Sequence, residues 1–352
     1  MIRVAILGAG IGAEHLAGYR ALPHLFEVAL ICDLDLARAQ AIAGDLRVSD
    51  QTDLVLHDPD IDLIDICLPP HLHVPMSLKA LAAGKHVICE KPLATSLAEM
   101  DQLERAEGGS KGMLFPVFQY RFGRAMDQLV ALQNAGLLGR PHMASLETHW
   151  ARDAAYYGVP WRGTWQGECG GAVVGHAIHA HDLLSHLFGG IKTVNAQLAT
   201  RINPIETEDC AALSFTLQNG ALATSSVTLG GSDDTTRIRL VYEHLTATSG
   251  PRPYAPMDQD WVFQARDMTT QFKVDQVTAA VPQARAGFPG FLAQVGADIS
   301  GAPSSAVRLA DARASIELIT AIYASARSNG AAVACPIAPE HALYQGWLPQ
   351  GD

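Results

Sequence analysis

Val4-Ala5-Ile6-Leu7-Gly8-Ala9-Gly10-Ile11-Gly12-Ala13 decides how this chain reads. Four apolar residues in a row suit a strand buried on both faces, and the glycines that follow suit a turn opening a helix. This is the context in which a glycine-rich turn holds a dinucleotide. Gly8 permits the tight turn, Gly10 lets a pyrophosphate approach the backbone, and Ala13 lets helix pack closely on sheet. Ile11 and Gly12 complete the helix N-terminus on which the phosphates rest. Asp33 ends the next apolar run, 25 residues after Gly8, where a carboxylate accepts ribose hydroxyls and repels a 2′-phosphate. The pairing favours NAD as cofactor without excluding NADP. A glycine turn with a helix-capping aspartate and no ligand is the alternative.

Outward from this stretch, short apolar runs at 4–7, 28–32, 63–67, 86–89 and 113–117 alternate with helical patterns at 11–22, 34–43, 74–83 and 97–107. The alternation predicts an α/β domain with a doubly wound parallel sheet. After residue 119 the segments lengthen and alternate at 193–200, 211–217, 221–229 and 237–242. Asn219-Gly220 between two of them signals a hairpin, since both residues accept positive φ. The second domain is therefore expected to be α/β with a large, mainly antiparallel open sheet. Boundaries fall at 1–119 and 120–352. Residues 250–260 and 281–290 read as loops. A helix over 309–328 closes the structure, with packing back on the first domain as one option.

The 352 residues are 48% hydrophobic and only 17% charged, enough to bury a substantial core. A net charge of -11 repels a phosphate backbone, so nucleic acid is a poor partner. Six cysteines without a C-x-x-C pair suit reduced thiols. The apolar run at the N-terminus stops at Gly8, too short for a signal-peptide core or a membrane span. The expectation is a cytoplasmic protein with no membrane partner.

Between Ile66 and Leu93 the chain reads Ile-Cys-Leu-Pro-Pro-His-Leu-His-Val-Pro, then Ala-Gly-Lys-His-Val-Ile-Cys-Glu-Lys-Pro-Leu. This pattern resembles the glucose-fructose oxidoreductase and inositol dehydrogenase (Gfo/Idh/MocA) family. Leu68-Pro69-Pro70 and His73 match its first part loosely, and Glu90-Lys91-Pro92 matches its second part fully. The likeness continues through Tyr120-Arg121-Phe122, Trp161-Arg162 and Gly170-Gly171. It implies an N-terminal Rossmann domain, cofactor contacts at Leu68, Pro69, His73, Glu90 and Lys91, and a cis Lys91-Pro92 bond. Lys91 follows a parallel strand, at the sheet edge where such folds bind ligands. An ammonium there stabilises the alkoxide of a reacting hydroxyl, although a surface ion pair with Glu90 fits the residues alone equally well.

His176, His179, His181, Asp182 and His186 fall on one expected helix over 175–187, with His179, Asp182 and His186 on one side. The order His179-x-His181-Asp182 misses the spacing of a metallo-hydrolase, and no metal is assigned. In the resembled family this helix reads Asp-x-Gly-x-His-x-x-Asp. His179 and Asp182 match its His and last Asp, whereas Gly175 and Ala177 replace its first Asp and Gly. His179 is the candidate general base, with His176 as substitute for the missing carboxylate. Gln119, Arg121, Trp161, Arg162, His176 and Asp182 are weaker candidates for binding substrate. The stretch 206–209 reads as a solvated edge without chemistry.

Together these readings suggest hydride transfer between a nicotinamide and a secondary alcohol or ketone of a sugar, cyclitol or related polyhydroxylated compound. A non-catalytic dinucleotide or sugar sensor, and NAD-assisted elimination or glycoside cleavage, are the alternatives. An exposed sheet face is a liability in a monomer, so a homodimer or homotetramer through the C-terminal sheet is expected.

Overall fold

The computed structural model describes residues 1–349. It divides into two compact units, one of residues 1–118 with 288–313, the other of residues 119–287 with 314–349. The sequence reading had kept everything after residue 119 in a single domain; the segment 288–313 instead clusters with the first unit.

In the first unit, strands β1 (Ile2–Leu7), β2 (Phe26–Cys32), β3 (Arg47–Ser49), β4 (Leu63–Ile66), β5 (His86–Cys89) and β6 (Leu114–Pro116) alternate with helices α1 (Gly12–Arg20), α2 (Leu36–Ala43), α3 (Thr52–His57), α4 (His73–Ala82) and α5 (Leu97–Gly108). The strands lie in the order β3-β2-β1-β4-β5-β6, and every pairing is parallel. The order reverses direction beside β1, the switch point at which such sheets take ligands. Val4, Ala5, Ile6 and Leu7 are at most 1% exposed, which explains their uninterrupted apolar run. Short β3 and α3 were not foreseen, because a three-residue strand carries too little periodicity to register. The helix Gly287–Ile299 contributes Phe288, whose ring fills the space over Gly18 of α1: a Cβ there would lie 2.5 Å from it.

The second unit opens with α6 (Arg124–Asn134) and β7 (Pro141–Ala151), followed by a short helix α7 (Trp165–Glu168) and then α8 (Ile178–Phe188). Then come β8 (Ile191–Ala199), β9 (Cys210–Leu217), β10 (Leu222–Thr228), β11 (Gly230–Tyr242), β12 (Leu245–Thr248) and β13 (Val262–Ala265). After α9 (Met268–Ala280), the helix already described becomes α10, followed by α11 (Leu309–Arg327) and β14 (Val333–Ala334). The eight-stranded sheet runs β13-β12-β11-β7-β10-β9-β8-β14. Among the described residues of this sheet only β7 and β10 pair in parallel, so the expected, mainly antiparallel open sheet is present. Gly220, at φ +87°, makes the reversal between β9 and β10. Buried Ala211, Leu213 and Phe215 alternate with outward Ala212 and Ser214, and Thr224 and Ser226 stand outward on β10. The loop reading at 281–290 is corrected at its end, since α10 begins at Gly287.

Candidate active site

The glycine turn is built for a close-approaching group. Gly8 has φ +104°, and a Cβ on it would lie 2.4 Å from the Cys67 carbonyl oxygen. Around Gly10 an added Cβ would meet nothing within 4 Å. Gly12, rather than Ala13, makes the tight contact of helix on sheet, because its Cβ would stand 2.9 Å from Ile6. Among the described residues the amides of Gly10, Ile11 and Gly12 have no hydrogen-bond partner, leaving three donors at a helix N-terminus for an anion. The residues present therefore fit the pyrophosphate of a dinucleotide.

Asp33 braces this turn. Its Oδ2 accepts the Ala9 amide at 2.7 Å, and its Oδ1 accepts the Asp35 amide at 2.8 Å and Arg38 Nη2 at 3.2 Å. Burial alone would raise its pKa, but these two amides and the guanidinium hold the carboxyl below its ordinary value. It is ionised at neutral pH.

His73 is fully engaged by backbone. Its Nδ1 lies 2.7 Å from the Pro92 carbonyl oxygen and its Nε2 2.7 Å from that of Leu68. The imidazole therefore ties the Leu68-Pro69 turn to the segment after β5, with Leu68 half-buried and Pro69 exposed. Burial lowers the pKa of this imidazole, and the ring braces the turn through these backbone contacts. Glu90 Oε2 accepts the Lys91 amide at 3.1 Å, and Glu90 Oε1 lies 3.1 Å from His15 Nε2. Lys91 is half-buried just past β5, and Lys91-Pro92 is cis.

In the second unit, Gly170-Gly171 leads into a wide π-type turn, Val173–Ala177, continuous with α8. Such turns recur at functional sites. Gly171 is required, since its Cβ would lie 1.9 Å from the Glu208 carbonyl oxygen. The Glu208 carboxylate accepts the amides of Gly171 and Val173 at 3.1 Å and the Tyr323 hydroxyl at 3.0 Å. The reading of 206–209 as a solvated edge is thus wrong: Glu208 is 5% and Asp209 0% exposed. Glu208 caps the segment that carries the histidines, and burial pushes its carboxyl up to about 7 against these hydrogen bonds.

His176 and His179 are both buried. The His179 ring stacks on Tyr120 at 4.6 Å, and Tyr120 is fixed by donating to the Pro253 carbonyl at 2.8 Å. Trp150 presents its edge to His176 at 5.1 Å. Arg121 holds Asp182 with Nε at 2.7 Å and Nη2 at 2.6 Å. The pair is buried, and losing either partner costs about 3–5 kcal/mol. Gln119 Oε1 is buried and has no partner among the described residues. Arg162 lies 3.9 Å over the Tyr156 ring, and Trp161 is 43% exposed. His181 bonds Ser225 at 2.9 Å, with its pKa lowered to about 4 by burial, whereas His186 is exposed. The histidine run therefore splits into separate environments.

Sequence reasoning missed His15, Asp65, Tyr120 and Glu208. The signal for Asp65 was present: a charged residue inside the buried strand Leu63–Ile66.

Residues 2–118 match the GFO_IDH_MocA description, an oxidoreductase family with an NAD-binding Rossmann fold, and residues 126–248 match the GFO/IDH/MocA C-terminal domain. The chain belongs to the Gfo/Idh/MocA family of oxidoreductases. It is similar to the uncharacterized oxidoreductase YrbE of Bacillus subtilis, 32% identical over 63% of this chain and 65% of that protein. D-glucoside 3-dehydrogenase of Escherichia coli is 31% identical over 57% of this chain and 58% of its own length. These matches span just under two thirds, or less, of the curated relatives. The WlbA dehydrogenase of Bordetella pertussis, solved with NADH and UDP-GlcNAcA, has a TM-score of 0.83 at 26% identity, covering 96% of this chain and 99% of that one.

Proposed function

We propose that this protein is an NAD(P)-dependent dehydrogenase or reductase acting on a secondary alcohol or ketone of a sugar, cyclitol or related polyhydroxylated compound. The observation that carries the reading is Lys91, half-buried at the carboxyl end of a parallel strand in the unit that also holds the unpartnered glycine-turn amides. The relatives named above, which include a glucoside dehydrogenase and a dehydrogenase solved with a nucleotide sugar, support the substrate class.

Gly8, Gly10, Ile11, Gly12 and Asp33 would hold the dinucleotide, which supplies a hydride acceptor or donor when bound. Lys91 polarises the reacting oxygen and stabilises its alkoxide character. His179, oriented by Tyr120, takes or returns the proton. His176 stands near the position the family gives to a carboxylate, which is Gly175 here. The six cysteines are free thiols, which suits the cytoplasm; among the described residues no helix is long and apolar enough to cross a membrane.

The test is absorbance of reduced nicotinamide with a panel of sugars, cyclitols, lactones and nucleotide-linked uronic acids. Lys91→Ala is expected to cut turnover by about 100-fold or more while sparing cofactor affinity; an unimpaired rate would move the reaction centre elsewhere. A second reading, a sensor that binds without turnover, draws on the absent carboxylate at Gly175 and on Arg121 holding Asp182. Tight NAD binding with no turnover across the panel would favour it. Product formed without release of NADH would point to elimination or glycoside cleavage.

A further inference from the structure

The first unit buries a charged cluster that the proposed reaction does not use directly. His15 on α1 sets Nδ1 2.9 and 3.1 Å from the two oxygens of Asp65 on β4, and Nε2 3.1 Å from Glu90 Oε1. His15 is 2% exposed, Asp65 0% and Glu90 9%. The Cys67 sulfur lies 3.2 Å from Nδ1, and Phe288 stacks on the ring at 3.9 Å. Both ring nitrogens thus face carboxylate oxygens, the arrangement that favours the charged form of the imidazole. Burial opposes that charge, but Asp65 beside it raises the imidazole pKa well above 6.5.

Such a cluster has weak justification as a source of stability, because apolar residues of the same volume commonly serve as well. Its distinctive property is where it ends. Glu90 Oε2, on the carboxylate that His15 grips, accepts the Lys91 amide at 3.1 Å. The Glu90 amide donates to the Ile66 carbonyl at 3.0 Å. A continuous line of polar contacts thus runs from Asp65 through His15 and Glu90 to the Lys91 main chain.

We propose that His15 is a positioning residue for Lys91: through Nε2 it fixes the Glu90 carboxylate, and through it the backbone that carries the lysine. The proposal rests on Lys91 acting in the reaction assigned above. Placement errors of about 1 Å can cost about 100-fold in rate, so a rigid support behind the lysine has a kinetic role that its stability contribution does not reveal.

The test compares two isosteres in the full-length protein. In His15→Gln the amide nitrogen replaces Nε2 and can still reach Glu90, whereas in His15→Asn it replaces Nδ1 and reaches Asp65 alone. Expected for His15→Gln are kcat within about threefold of the parent and native-like hydrogen exchange at the Lys91 amide. Expected for His15→Asn are kcat lower by about tenfold or more, KM for NAD little changed, and faster exchange at that amide. Equal behaviour of the two variants in both readouts, or stoichiometric metal bound to the purified protein with His15 as ligand, would overturn the proposal. Should no substrate be turned over by any form, the functional reading fails. The exchange comparison then decides the proposal by itself.

Discussion

Gly8 and Gly10 stand two residues apart and are glycine for different reasons, which makes them separable by substitution. Gly8→Ala places a Cβ 2.4 Å from a backbone oxygen at positive φ, so a stability loss of several kcal/mol is expected in thermal melts. Gly10→Ala meets no protein atom within 4 Å, so its melting temperature should stay near the parent's while NADH affinity, followed by fluorescence, falls at least tenfold. Equal melting losses for both would deny that Gly10 is kept open for a ligand. Asp33 carries a second expectation at this scale: NAD(H) should bind tighter than NADP(H), with Asp33→Ala narrowing the gap. Because Asp33 also braces Ala9, the ratio of the two affinities is the diagnostic quantity. Equal affinities in the unmodified protein would show that Asp33 does not reach the ribose.

At the scale of elements, the histidine-bearing segment depends on a carboxyl from a different part of the chain. Glu208 titrates near 7 in the fold against an ordinary 4.5. The folded state therefore keeps a proton that the unfolded chain has already lost over that range. The stability this provides is present below about 4.5 and disappears as pH rises through about 7, by at most about 3 kcal/mol. The melting temperature of the parent should fall relative to Glu208→Gln between pH 5 and 8; parallel curves would contradict the assignment. Burial of this kind was not legible in Glu206-Thr207-Glu208-Asp209, where four polar residues in a row offer no apolar period to read. By contrast, the runs at residues 4–7 and 86–89 had revealed their strands, since burial on both faces leaves an unmistakable composition. Lys91 and His179 were singled out through motif resemblance. The bracing of His73 and the pairing of Arg121 with Asp182 were not, because long-range partners leave no local spacing.

For the molecule as a whole, the open sheet of the second unit bears on assembly. Its outward positions on β9 and β10 include the small residues Ala212, Ser214, Thr224 and Ser226 together with Leu222, which is 50% exposed. Association through this face, as homodimer or homotetramer, is expected from mass measurement by light scattering. Introducing a charge with Ser214→Arg should shift that mass towards the monomer; a monomeric parent would remove the face from consideration. The division of the chain has a separate effect on how the protein is made. The first unit is closed by residues 288–313, including the Phe288 that covers His15. A ribosome delivers those residues after the bulk of the second unit, so the nucleotide-binding half stays unfinished while its successor is already emerging. A fragment ending at residue 118 would carry an uncovered apolar face, and for this chain synthesis order and folding order must diverge.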